Sequence, residues 1–152
     1  LEGSTEELTA ELQSARIEHV VSLYSAAFEL HEYANGAWNT GIDNYSADGG
    51  RNGLKYFGRA LSAFDDARIV AQDAVTVAQS YGMSTGVILE SAEAFSAWAK
   101  AALDMETAAS LLQENATDDA EKRREQAETH VEEASSKTIA KVEGVRAAVS
   151  SE

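Results

Sequence analysis

The 152-residue chain has room for one domain with a sizeable core, and a hydrophobic content of 44% excludes disorder by composition. It carries 26 acids against 12 bases, a formal net charge of -14, which excludes a binder of nucleic-acid phosphates or of anionic lipid. The absence of cysteine excludes disulfides, thiolate metal sites and cysteine nucleophiles, and the absence of proline fits long uninterrupted helices.

Ser4 followed by Glu7 has the form of a capping box and predicts a first helix over about 5–47. Leu8, Leu12, Ala15, His19, Leu23, Ala27, Leu30, Ala34, Trp38, Gly41 and Tyr45 then recur at three- and four-residue spacing, one face of a helix. At 1.5 Å per residue this helix is roughly 65 Å long, well beyond the segments that follow. It must overhang its partners or bend, and Asn35-Gly36 and Gly41 are where a bend is expected, because glycine weakens a helix interior.

Ala47-Asp48-Gly49-Gly50 is a turn, and a second helix is predicted over about 51–81. Its apolar positions form two stripes, one through Leu54, Phe57, Leu61 and Phe64, the other through Tyr56, Ala60, Ala63 and Ala67. The combined face is too wide for a single neighbour, so this helix is placed at the centre. Gly82 stops it, Ser84 or Thr85 caps the next, and a third helix is expected over about 85–114 with Phe95, Trp98, Ala102, Met105, Ala109 and Leu112 inward. After a turn at Asn115-Ala116-Thr117, Asp118 with Glu121 reads as a second capping box. A fourth helix over about 118–149 follows on a thin seam of Ala120, Ala127, Val131, Ala134, Thr138, Val142, Val145 and Val149. Short connections make antiparallel neighbours, so the expected fold is a single all-α domain, residues 1–152, with an up-down-up-down four-helix bundle.

Chemistry finds little foothold. None of His19, His31 and His130 follows a glutamate by three positions, so the Glu-x-x-His ligands of a di-iron bundle are absent, and no metal or other cofactor is expected. The turn from Asn44 resembles the start of a calcium loop only superficially, since Lys55 stands where the bidentate glutamate belongs. Nucleophile-elbow, phosphate-loop and zinc-protease motifs are missing, so the chain reads as no enzyme, with no catalytic residues. Two kinds of candidate remain. Trp38, Tyr45, Tyr56 and Phe57 surround the first turn and form a candidate ligand or partner surface, beside Arg51, Lys55 and Arg59. Asn44-Tyr45-Ser46 and Asn115-Ala116-Thr117 match the N-glycosylation acceptor pattern, with Asn44 and Asn115 as acceptors at one end of the expected bundle.

Two resemblances bear on these readings. Trp38, Gly41 and Tyr45, followed by Ala60-x-x-x-Phe64-x-x-Ala67, resemble the two halves of a tetratricopeptide repeat over about 30 residues, which implies a scaffolding or binding role. The spread of acids, the few lysines and the abundant alanine resemble proteins of extreme halophiles. The acidic hairpin pattern is similar to uncharacterised secreted or lipid-anchored proteins of haloarchaea, and Leu1-Glu2-Gly3-Ser4-Thr5 is similar to the residues that follow a lipobox cysteine. That likeness implies a lipid anchor and a place at the cell surface, with no catalytic residues to carry over.

The resulting expectation is a non-catalytic cell-surface module adapted to high salt that binds a protein partner or a small ligand. The alternative is a cytoplasmic helical adaptor that pairs with a partner helix. No apolar run reaches the ~20 residues of a transmembrane helix.

Overall fold

The computed structural model describes residues 2–151, with side chains from Ser4 onward. Leu1, the first residue of the lipobox-like opening, lies outside the described residues. The fold is an all-α bundle of five helices, with no strand among the described residues: α1 (Glu2–Asn44), α2 (Arg51–Ser80), α3 (Gly86–Gln113), α4 (Thr117–Ser135) and α5 (Val142–Ser150).

α1 runs unbroken past Asn35, Gly36 and Gly41, and its length is taken up as an overhang. Residues 4–15 are exposed throughout, with Leu8 at 67% and Leu12 at 52%, so the apolar stripe starts two turns before there is anything to pack against. The expected cap at Ser4 is corrected, because the helix already begins at Glu2 and Ser4 sits inside its first turn. Gly41 has a packing reason. A Cβ there would lie 2.8 Å from the Phe57 ring, so glycine lets α1 and α2 approach at this crossing.

The first helix ends at Asn44 rather than Ala47, and Tyr45–Gly50 form the turn. Gly49 (φ 71°) and Gly50 (φ 94°) take left-handed backbone, and a side chain at Gly50 would collide with the Ala109 carbonyl, which seats this turn on the end of α3. The Asp48 carboxylate accepts the Asn52 N–H at the start of α2. α2 buries most of both predicted stripes, including Phe57, Ala60, Ala63, Phe64, Ala67, Ala71, Ala74 and Ala78, while Leu54, Tyr56 and Leu61 stay half-buried. It ends in a Schellman motif: Gly82 (φ 71°) donates to the Gln79 carbonyl, Met83 to the Ala78 carbonyl, and the Met83 side chain is buried. α3 ends in the same way, with Asn115 (φ 63°) donating to Leu112 and Ala116 to Leu111. Asn115 therefore has a local backbone reason to be asparagine, the residue besides glycine that best tolerates this conformation.

α1 packs on α2, α2 on α3 and α3 on α4, and α3 is surrounded on more sides than α2, by α2, α4 and α5. The expectation of a single central helix 2 thus gives way to two inner helices. One core cluster joins Val20, Tyr24, Ala71, Ile88 and Phe95 with Val145 and Val149 of α5. A second joins Trp38, Phe57, Phe64, Ala102 and Met105 with Ala127 of α4. His31 bridges them, with its ring 6.0 Å from Phe64 and 5.1 Å from Phe95.

The largest correction concerns the fourth helix. It does not run from 118 to 149. It stops at Ser135, residues 136–141 leave helical geometry, and α5 packs back on α1 and α3. Asp118 is not the cap either: α4 begins at Thr117 after Ala116, and Asp118 and Asp119 lie in its first turn, where they complement the helix dipole.

Hydrogen bonds from other helices hold the break open. The buried Tyr24 hydroxyl donates to the Ala140 carbonyl at 2.5 Å and lies 3.0 Å from the Ser91 hydroxyl. Ser91 Oγ also accepts the Ala140 N–H at 3.0 Å, and the Glu90 carboxylate accepts the Thr138 N–H at 2.6 Å. Groups that lose intrahelical partners at the break are thus satisfied by α1 and α3. Burial, opposed by the Ser91 contact, raises the Tyr24 pKa, which keeps the phenol protonated.

Candidate functional site

Because α5 turns toward α1 while α4 rests chiefly on α3, the C-terminal half of α1 and the length of α4 leave a groove between them. Its cavity is about 480 Å³, within the usual range of small-molecule sites. Helical spacing builds both walls. Trp38 and Ile42 stand at i and i+4 along one face of α1, and Tyr45, the first residue of the turn that follows, continues that wall. Arg124, Ala127, Glu128, Val131 and Glu132 stand at i, i+3, i+4, i+7 and i+8 along one face of α4, and Met105 of α3 is the floor.

The aromatic wall is held from behind. Trp38 is 8% exposed and meets the Phe57 ring edge-on at 5.3 Å and the Trp98 ring edge-on at 5.4 Å. Tyr45 is half-buried and also meets Phe57 edge-on, at 6.4 Å. Phe57 itself is fully buried and supports the two lining aromatics without reaching the cavity.

Charge is confined to the α4 rim. Arg124 is clasped on both sides along its own helix, by Glu121 and by Glu128 at 2.5 Å. These contacts raise the Arg124 pKa and lower that of Glu121, so both stay ionised. The Tyr45 pKa is raised, first by burial and next by the Glu121 carboxylate, with Arg124 opposing. Just behind the rim, Asp104 of α3 is 5% exposed and ties α4 down: Arg123 Nε lies 2.7 Å from its Oδ1, and His130 Nε2 lies 3.5 Å from its Oδ2.

Of the predicted surface, Trp38, Tyr45 and Phe57 come together and Tyr56 lies apart. Neighbouring residues on a helix point about 100° from each other, so Phe57 facing the core turns Tyr56 to the outer α1–α2 face. There Lys55 Nζ and the Arg59 guanidinium lie 5.5 and 5.4 Å from the Tyr56 ring centroid, and a shallower hollow is shared with Glu32, Tyr33 and Thr40. Lys55 and Arg59 therefore dress Tyr56 and have no part in the groove. The groove residues that sequence reasoning missed are Ile42 and the α4 wall. Their signal was the thinness of the α4 seam, too narrow to cover both α3 and α1.

The two acceptor asparagines differ. Asn44 is half-buried and its amide donates to the Thr40 carbonyl at 2.8 Å, whereas Asn115 is exposed in the α3–α4 turn. Among the described residues no group of three or more His, Asp or Glu is placed to hold a metal ion, and no helix is long and apolar enough to cross a membrane.

Comparison of the chain with protein-family models, with curated proteins and with solved structures gives no match. The functional reading therefore rests on the site alone.

Proposed function

We propose that this chain is a non-catalytic binding module whose ligand site is the α1–α4 groove, carried on an antiparallel up-down-up-down arrangement of the first four helices. The observation that carries the reading is the open apolar wall of Trp38, Ile42, Tyr45, Met105 and Val131, left uncovered where α4 fails to reach α1. The topology is supported by contacts between the first half of one helix and the second half of its neighbour or the cap that ends it, such as His19 with Tyr81 and Arg123 with Asp104.

A neutral solvatochromic dye, Nile red, tests the site. Val131→Phe adds apolar volume at a half-buried groove position, and it is expected to weaken dye binding at least about tenfold while circular dichroism stays unchanged. Equal binding by both proteins removes the groove as the site.

In the same reading the module works at the cell surface in high salt, which the -14 charge and the exposed acceptor Asn115 support. Intact mass of protein from its native cells tests the location. Added sugar on the Asn115 peptide favours it, and a bare polypeptide mass counts against it.

A cytoplasmic adaptor is the second reading, favoured by the overhang of α1 with its exposed Leu8 and Leu12. An adaptor that pairs through those leucines loses its partner when both become alanine, whereas a groove binder keeps its ligand.

A further inference from the structure

We propose that the groove selects a lipophilic cation, an onium centre carried on apolar or aromatic substituents. This rests on the groove being the ligand site and goes on to name the chemistry of its occupant.

Shape and apolar lining account for the substituents, and the arrangement of charge accounts for the centre. The α4 wall of the cavity carries the carboxylates of Glu128 and Glu132 and the single guanidinium of Arg124, which also pairs with Glu121 outside the lining. Arg124 is spent on Glu121 and Glu128, one on each side of it along the helix, and has no unpaired positive face to offer an anion. Among the described residues no base pairs with Glu132, which leaves one uncompensated carboxylate at the cavity wall. The α1 wall contributes no base at all. Its Trp38 and Tyr45 rings line the cavity, and aromatic rings attract cations, an attraction that grows where water is excluded. A carboxylate or phosphate ligand would meet repulsion from Glu132 and gain no guanidinium, so anions are disfavoured for two separate reasons.

The test compares tetraphenylphosphonium with tetraphenylborate, its isosteric anion, and with neutral triphenylphosphine oxide, by isothermal titration calorimetry on the full chain. Molar NaCl is the solvent, because a Debye length of about 3 Å removes the general pull of a -14 protein on any cation and leaves contact discrimination. Phosphonium is expected to bind about tenfold more tightly than borate, the scale of one desolvated cation–aromatic contact. Glu132→Gln should narrow that gap several-fold, and Asp73→Asn on the exposed face of α2 should leave it unchanged. If borate or the oxide binds as tightly as phosphonium, or if Glu132→Gln changes nothing, cation selection is overturned while the groove stands as a ligand site. If none of the three binds, the groove reading falls with it.

Discussion

Single residues decide where this chain stops being helical, and Tyr24 is the clearest case. Its hydroxyl is the partner of a carbonyl 116 positions away, inside a segment that would otherwise continue as helix. Tyr24→Phe keeps the ring and its packing but leaves the Ala140 carbonyl unsatisfied in a buried place, which costs about 1–3 kcal/mol. Urea denaturation should register that loss, and amide exchange at residues 138–140 should quicken more than exchange in the middle of α2. His31 offers the pH dependence. Burial lowers its pKa below the ordinary 6.5, with Glu32 opposing. The unfolded chain therefore takes up the proton first as the solution is acidified. The stability contributed by keeping this ring neutral is complete above pH 6.5 and is lost as pH falls from 6.5 through the lower folded value. Replacing His31 by Phe should flatten that limb of a stability-against-pH curve, and an unchanged slope would remove His31 as its source.

At the scale of the helices, legibility followed from how many neighbours each one has. α2 touches helices on both sides, so nearly every small or aromatic position was needed, and its two stripes were readable as a pattern. α4 and α5 use few apolar positions, and their alanine and valine spacing stays in register across 136–141, so periodicity alone joined them into one helix. What separates them is supplied by Glu90, Ser91 and Tyr24 on other helices, and no local signal carries that. The same limit governed the groove. Trp38 and Tyr45 were legible as aromatics beside a turn, whereas the opposing wall needs the position of α4 relative to α1. The α1 stripe misled in the other direction, because Leu8 and Leu12 have the right period and no partner within the chain. Replacing both by Ala should therefore move the free energy of unfolding by no more than about 0.5 kcal/mol per site, as at other exposed positions. A thermal melt shifted by much more would show that the overhang is held by contacts of its own.

Across the whole molecule the dominant physical fact is charge. With 26 acids on 152 residues, the compact state carries strong self-repulsion, and the few internal ion pairs relieve little of it. Surface pairs such as Arg68–Asp65 and Lys137–Glu93 are solvent-screened and contribute little. Molar salt shortens the Debye length to about 3 Å and quenches the repulsion, while ~10 mM salt extends it to about 30 Å, across the whole domain. Helicity by circular dichroism is expected to fall on dilution from molar KCl to ~10 mM, and a flat signal over that range would end the case for salt adaptation. The Arg123–Asp104 pair, with its carboxylate buried, should be the last of these contacts to feel the change.

The return of residues 138–150 to α1 also has a meaning in time. Packing among α1, α2, α3 and α4 is between sequence neighbours, a topology that assembles by successive local hairpins. Docking α5 is the exception, because it must join residues such as Glu18 and Arg146, 128 positions apart. That closure carries the largest loop entropy in the chain and is rewarded only after the earlier helices have presented Tyr24 and Ser91. The α5 latch is therefore expected to dock last, and because contacts that form after the folding barrier act chiefly on the rate of unfolding, Tyr24→Phe should speed unfolding more than it slows folding in stopped-flow kinetics.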